Sequence, residues 1–142
     1  MKARYAVAIA ALAVACSSVR PAPIQVGDRC YRCKAVISDV RIAAELMAPN
    51  NTPYPFRTPG CLAKYLKAHP GEQGTAFVTD NKTGYLIEAE NAWFASVAVP
   101  AADGHGNEPD YLAFRRRVDA EAANATHAPL QRWTTIVATA TE

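Results

Sequence analysis

A run of small and apolar residues ends at Cys16, and this feature sets the compartment, the size and the cysteine chemistry of whatever folds behind it. Lys2 and Arg4 supply a positive start, Tyr5 to Ala15 is dominated by Ala and Val, and Ala13-Val14-Ala15 precedes the cysteine. Positive region, apolar core and small-residue cleavage site are the order of a signal peptide. The run is too short to span a bilayer, which takes about 20 residues. The expectation is a signal peptide over residues 1–15 and a lipid-modified Cys16, carrying fatty acyl (palmitate-type) chains. An exported, membrane-anchored lipoprotein on the periplasmic face follows, and Ser17 directs it to the outer membrane if the cell is Gram-negative. Ordinary cleavage after Ala15, without lipid, is the alternative, and Leu12 lies one place further from the cysteine than a lipid-attachment motif usually has it.

The leader also alters the charge balance. The whole chain has 15 Lys+Arg and 13 Asp+Glu, and Lys2 and Arg4 lie in the leader, so the mature chain carries thirteen of each. A formally neutral chain does not suit wrapping a polyanion, which needs clustered phosphate contacts. No nucleic-acid partner is expected, and Arg115-Arg116-Arg117 reads as a solvated face.

Residues 16–27 are rich in Pro, Ser and small side chains and read as a tether. About 115 residues remain from Asp28, enough for one compact domain. Alternation of Val36, Val40, Ile42, Ala44 and Leu46 with polar residues predicts a strand with one buried face. Pro53 to Arg57 predicts a second strand, which its prolines confine to a sheet edge. Thr58 and Pro59 are a cap and first turn, Leu62, Tyr65, Leu66 and His69 follow at helical spacing, and Pro70-Gly71 ends the helix. Thr75–Asp80 and Tyr85–Ala89 read as a hairpin around Asn81-Lys82-Thr83-Gly84. Trp93–Val99 predicts another strand, Pro100–Pro109 a loop, Tyr111–Phe114 a short strand, and Arg115–Asn124 a helix with Val118 and Ala122 on its apolar side. Alternation over Leu130–Ala138 predicts a final strand. Tyr54-x-Phe56, helix, Phe77 is echoed by Tyr111-x-x-Phe114, helix, Trp133. The fold class is therefore α+β, a single small domain with the outline of two ββαβ half-units.

Chemistry is concentrated in cysteine. With Cys16 carrying lipid, Cys30, Cys33 and Cys61 remain, and one disulfide cannot use all three. In an oxidising compartment a leftover thiol points to metal or redox chemistry. Cys30-Tyr31-Arg32-Cys33 can form a disulfide or present two metal ligands, and no second such pair completes a four-ligand zinc site. Cys61 follows the Thr58-Pro59 cap, where the positive helix end favours thiolate, although a buried cysteine can also be merely apolar filling. His69 reads as structural, His127 has no obvious partner, and His105, in a glycine-rich loop, is a ligand or simply a loop residue. No hydrolase nucleophile motif, zinc-protease motif or phosphate-binding glycine loop is present, so no enzyme is expected.

Taken in order, these features resemble the NosL family, lipoproteins that deliver copper to nitrous oxide reductase. The resemblance runs through Cys16, the Cys30 to Cys33 pair, Phe56, Cys61-Leu62-Ala63-Lys64-Tyr65-Leu66, Val78-Thr79-Asp80, Thr83-Gly84-Tyr85-Leu86-Ile87-Glu88-Ala89, Ala92 and Ala113-Phe114. It implies two ββαβ units related to organomercurial lyase, copper as cargo, and a recipient metalloprotein or copper transporter as partner. Lys34-Ala35 stands where the family has Gly-Met, and Met47 is the only methionine left in the mature chain. Cu(I) takes soft thiolate or thioether ligands, so the ion is expected on Cys30, Cys33 and Cys61, with His105 as an outer ligand. The competing expectation is a Cys30–Cys33 disulfide in a lipoprotein that binds no metal.

Overall fold

The structure is a computed structural model that describes residues 18–142; the segment expected to be a signal peptide, and Cys16, lie outside them. None of its helices is long and apolar enough to cross a membrane, among the described residues. The class is α+β, as expected: three helices and two antiparallel sheets.

Strand β1 (Ala44–Met47) pairs with both β2 (Pro53–Phe56) and β3 (Thr75–Thr79), and β4 (Leu86–Glu88) adds to β3, giving the order β2-β1-β3-β4. The two prolines of β2 sit on an edge, where a missing N–H leaves no ladder bond unmade. Helix α1 (Pro59–Ala68) follows β2 directly, capped by Thr58, whose Oγ1 accepts from Cys61 N–H at 3.1 Å. His69 closes it, its N–H donating to Tyr65 and Leu66 carbonyls. The β3–β4 turn is held by Asp80, which accepts from Lys82 N–H and the Thr83 hydroxyl, while Gly84 takes the positive φ of 82°.

The second sheet is the hairpin of β5 (Trp93–Pro100) and β6 (Asn107–Phe114), eight paired residues on each side. Helix α2 (Arg117–Ala123) follows it, and Gln131 then returns to exchange both backbone hydrogen bonds with Phe94. The two half-units thus share a plan. In the first, β1 lies between β2 and β3; in the second, β5 lies between β6 and one bridging residue. Asn81 N–H donates to Ala113 O at 2.8 Å and ties the halves together.

Several local expectations fail, each for a physical reason. The strand expected from Val36 to Leu46 is limited to Ala44–Met47, because Asp39 caps a 3₁₀ turn over Val40–Ile42. All four strand residues are buried, so the one-sided alternation does not apply. Ala44 and Leu46 face the core, while Met47 lines the cleft against the 18–22 segment, and Ala22 N–H donates to Glu45 Oε1 at 2.9 Å. The segment expected to be a tether therefore packs on the domain over part of its length.

The loop expected over Pro100–Pro109 is largely strand. Only Ala101–Gly106 turns, with Gly104 and Gly106 at φ 79° and 72°, and Pro109 is tolerated because β6 has a free edge. Helix α2 buries Ala120, leaving Val118 exposed, because it sits over Ala95 and Phe114 on the short hairpin. The final strand expected over Leu130–Ala138 is instead helix α3 (Trp133–Thr139). Trp133, Ile136, Val137 and Ala140 recur at helical spacing and all pack on the main core, with Trp133 stacked on Phe94 at 5.7 Å. Burial at period 3.6 outweighs the β-preference of its Thr, Ile and Val residues.

Candidate metal centre

Each of the three cysteines arrives by a different route. Cys30 begins a tight turn: its N–H donates to Ala35 O, Lys34 N–H donates back to Cys30 O at 2.9 Å, and Lys34 takes a left-handed φ of 62°. Arg29 and Val36 bridge behind this turn, and Tyr31 N–H donates to Pro55 O, fastening it to β2. Cys33 lies on the far side of the turn, partly exposed. Cys61 is the third residue of α1.

These sulfurs lie within 4.8 Å of one another, and Cys30 and Cys61 are only 3.3 Å apart. Cys30 is fully buried and Cys61 is 6% exposed, so two thiols are sunk in the core with Phe56 and Leu62, and Cys33 is partly exposed at its edge. All three are free thiols. An ion about 2.3 Å from each sulfur sets three thiolates about 4 Å apart. The group meets that with sub-ångström adjustment. His105 does not join it; this residue is at the exposed tip between β5 and β6.

The Cys30–Cys61 pair divides one proton unequally. The hydrogen bond with Cys61 holds the Cys30 thiol well below the usual range, against the opposing effect of burial. The backbone N–H groups of Cys33 and Arg57 help in the same direction. The same hydrogen bond, and then burial, push Cys61 well above the usual range. A cation bound by both sulfurs displaces whatever protons they hold.

Two residues that sequence reasoning missed hold this geometry. Asp110, on β6, accepts the Thr58 hydroxyl at 2.5 Å and the N–H groups of Gly60 and Tyr111 at 2.8 Å each. It is 5% exposed, and burial raises its carboxyl above the usual range despite these donors. A methyl at Gly60 would sit 2.7 Å from the carboxylate, so only glycine admits this contact. Arg57 reaches the turn end of the β5–β6 hairpin, donating to Pro100 O at 2.7 Å and pairing with Glu108. Its Nε is a buried polar atom without a partner. No local pattern announces Asp110, because its partners lie about fifty residues away in sequence.

The crystal structure of the copper chaperone NosL from Shewanella denitrificans superposes on this chain with a TM-score of 0.63, over 82% of this chain and 95% of that one. The fold is that of NosL. Sequence identity between the two is 18%, so the likeness is one of architecture. No protein-family model matches the sequence, and no curated protein does. On the NosL fold, this chain has three thiols that could hold a metal ion.

Proposed function

We propose that this protein is an exported carrier of Cu(I), anchored to the membrane by lipid on Cys16, that passes its ion to an exported metalloprotein or copper transporter. The observation that carries this reading is the convergence of Cys30, Cys33 and Cys61 within 4.8 Å. Among the described residues no carboxylate or imidazole joins the three sulfurs, and three thiolates form a soft donor set, which favours Cu(I) over harder ions. Kinship of fold with a copper chaperone supports the same cargo.

The arrangement suits transfer. Cys30 and Cys61 grip the ion in a low-dielectric setting, and Cys33, at the surface, is the thiolate that an incoming ligand displaces first. Tyr31, between Cys30 and Cys33 in the chain, packs against Tyr54 and Tyr65 with ring centroids 4.5 and 5.5 Å away, and these rings offer a docking partner an apolar margin.

Reduced protein, kept anaerobic, is titrated with Cu(I) against a chromophoric chelator. Wild type binds one equivalent. Serine at Cys30, Cys33 or Cys61 weakens binding about tenfold or more, a loss of about 1.4 kcal/mol or greater, and His105→Ala leaves it unchanged. Equal, weak competition by wild type and by the Cys30→Ser/Cys33→Ser double variant would end the copper reading. Fatty-acid labelling of wild type that is lost in Cys16→Ser checks the anchor.

A further inference from the structure

The C-x-x-C spacing makes Cys30 and Cys33 the obvious pair to oxidise, and the geometry disagrees. Cys30 Sγ touches Cys61 Sγ at 3.3 Å, and both are buried. Cys33 is partly exposed, across a turn that the Lys34 N–H to Cys30 O bond and the left-handed Lys34 hold in place. We propose that oxidation joins Cys30 to Cys61 and leaves Cys33 as the free thiol, making the cluster a redox switch on metal retention. The switch on metal rests on the Cu(I) reading above; the identity of the disulfide does not.

The oxidant is a disulfide, R–S–S–R, on a small molecule or a protein. The exposed Cys33 thiolate attacks one of its sulfurs, forming Cys33–S–S–R and expelling RS⁻. The Cys30 thiolate attacks Cys33 Sγ, closing Cys30–Cys33 and expelling the second RS⁻. The Cys61 thiol then attacks Cys30 Sγ, its proton passing to the departing Cys33 sulfur, which breaks the bond to Cys33 and returns Cys33 as a thiol. Two protein thiols have lost two electrons and two protons, and R–S–S–R has become two R–SH. The exchange ends there because the fold already holds the Cys30 and Cys61 sulfurs in contact. Cys33 Sγ, within 4.8 Å of both, is near enough to form the intermediate bond. The product ties the N-terminal turn to the start of α1 and leaves one thiol, too few to retain the ion. Reduction by a thiol partner restores all three. A bound ion, by occupying the thiolates, blocks the first attack.

The sequence makes this test unusually clean. Trypsin cuts after Arg29, Arg32, Lys34, Arg57 and Lys64, so Cys30, Cys33 and Cys61 fall on three separate peptides. The full-length, metal-free protein is treated with oxidised glutathione, alkylated, digested and analysed by mass spectrometry. The expected product joins Cys30–Arg32 to Thr58–Lys64, with Cys33–Lys34 carrying the alkyl group. A product joining Cys33–Lys34 to either other peptide, or alkylation of all three, overturns the proposal. In a second arm, oxidised protein binds Cu(I) at least about 100-fold more weakly than reduced protein, and a thiol reductant restores it. Equal affinity in both states overturns the switch. If reduced protein fails to bind Cu(I) while the Cys30–Cys61 link still forms, the copper reading falls and the disulfide assignment stands.

Discussion

Helix α1 begins at Thr58-Pro59-Gly60-Cys61, with its whole first turn buried, whereas α2 begins at Arg116-Arg117-Val118-Asp119, with its first three residues exposed. Both follow the second strand of a half-unit. The first has a side-chain cap and, beyond it, a carboxylate from the opposite half; the second has no side-chain cap and meets water. A helix end in water needs no protein partner for its free N–H groups, but one in the core does. The difference shows that a repeated backbone plan does not give two sites. The thiol cluster forms at the half whose helix start is enclosed, and β6 of the other half provides Asp110 to enclose it.

The largest effect should come from removing that carboxylate. Asp110→Ala strands the Thr58 hydroxyl and two backbone N–H groups in the core, at about 1–3 kcal/mol each when nothing replaces the acceptor. The expected loss is about 3–5 kcal/mol in urea unfolding, against less than about 0.5 kcal/mol for Arg116→Ala at the start of α2. Equal effects at the two positions would dissolve the contrast.

Gly60→Ala comes next. Its methyl would meet the Asp110 carboxylate at 2.7 Å, and overpacking of this kind costs about 1–3 kcal/mol. Double-mutant cycles with Asp110→Asn should show strong coupling; simple additivity would mean the two residues do not contact.

Thr58→Ala should cost about 1–2 kcal/mol through the lost cap. Because Cys61 N–H is the group it caps, Cu(I) affinity should fall in the same variant. A stability loss with unchanged affinity would separate the cap from the metal site.

The smallest effect concerns Glu45, under the N-terminal segment of the first half. Burial raises its carboxyl above the ordinary 4.5, so the folded chain holds the proton more tightly than the unfolded one. Its stabilising contribution is complete below pH 4.5 and is lost as pH rises through the raised value. Asp110, also raised by burial, acts in the same direction from 3.8 upward. Glu45→Gln should flatten the decline of melting temperature above pH 4.5, leaving the Asp110 share. An unchanged slope would show that Glu45 titrates alike in both states.

Some of this molecule was legible residue by residue. Thr58, Pro59 and Pro70-Gly71 mark both ends of α1, because cap bonding and proline sterics act within a turn of the chain. Pro53 and Pro55 place β2 at an edge because a residue without an N–H cannot join two ladders. Cys30, Cys33 and Cys61 were candidates on their count alone. Trp133 to Ala140 misled, since its β-branched residues satisfied both periods and only the partner surface could choose between them.

The sequence alone determined the α+β class, the capped helix carrying Cys61 and the three cysteines that follow Cys16, all consequences of local backbone sterics and side-chain chemistry. Tertiary structure decided that Cys61, rather than Cys33, lies in contact with Cys30, that Asp110 secures the helix below it, and that His105 stays outside the cluster. Those contacts join residues 31 and 50 apart in the chain. They exist because separate elements bury their apolar faces in one core, and no local pattern encodes which polar groups that burial brings together.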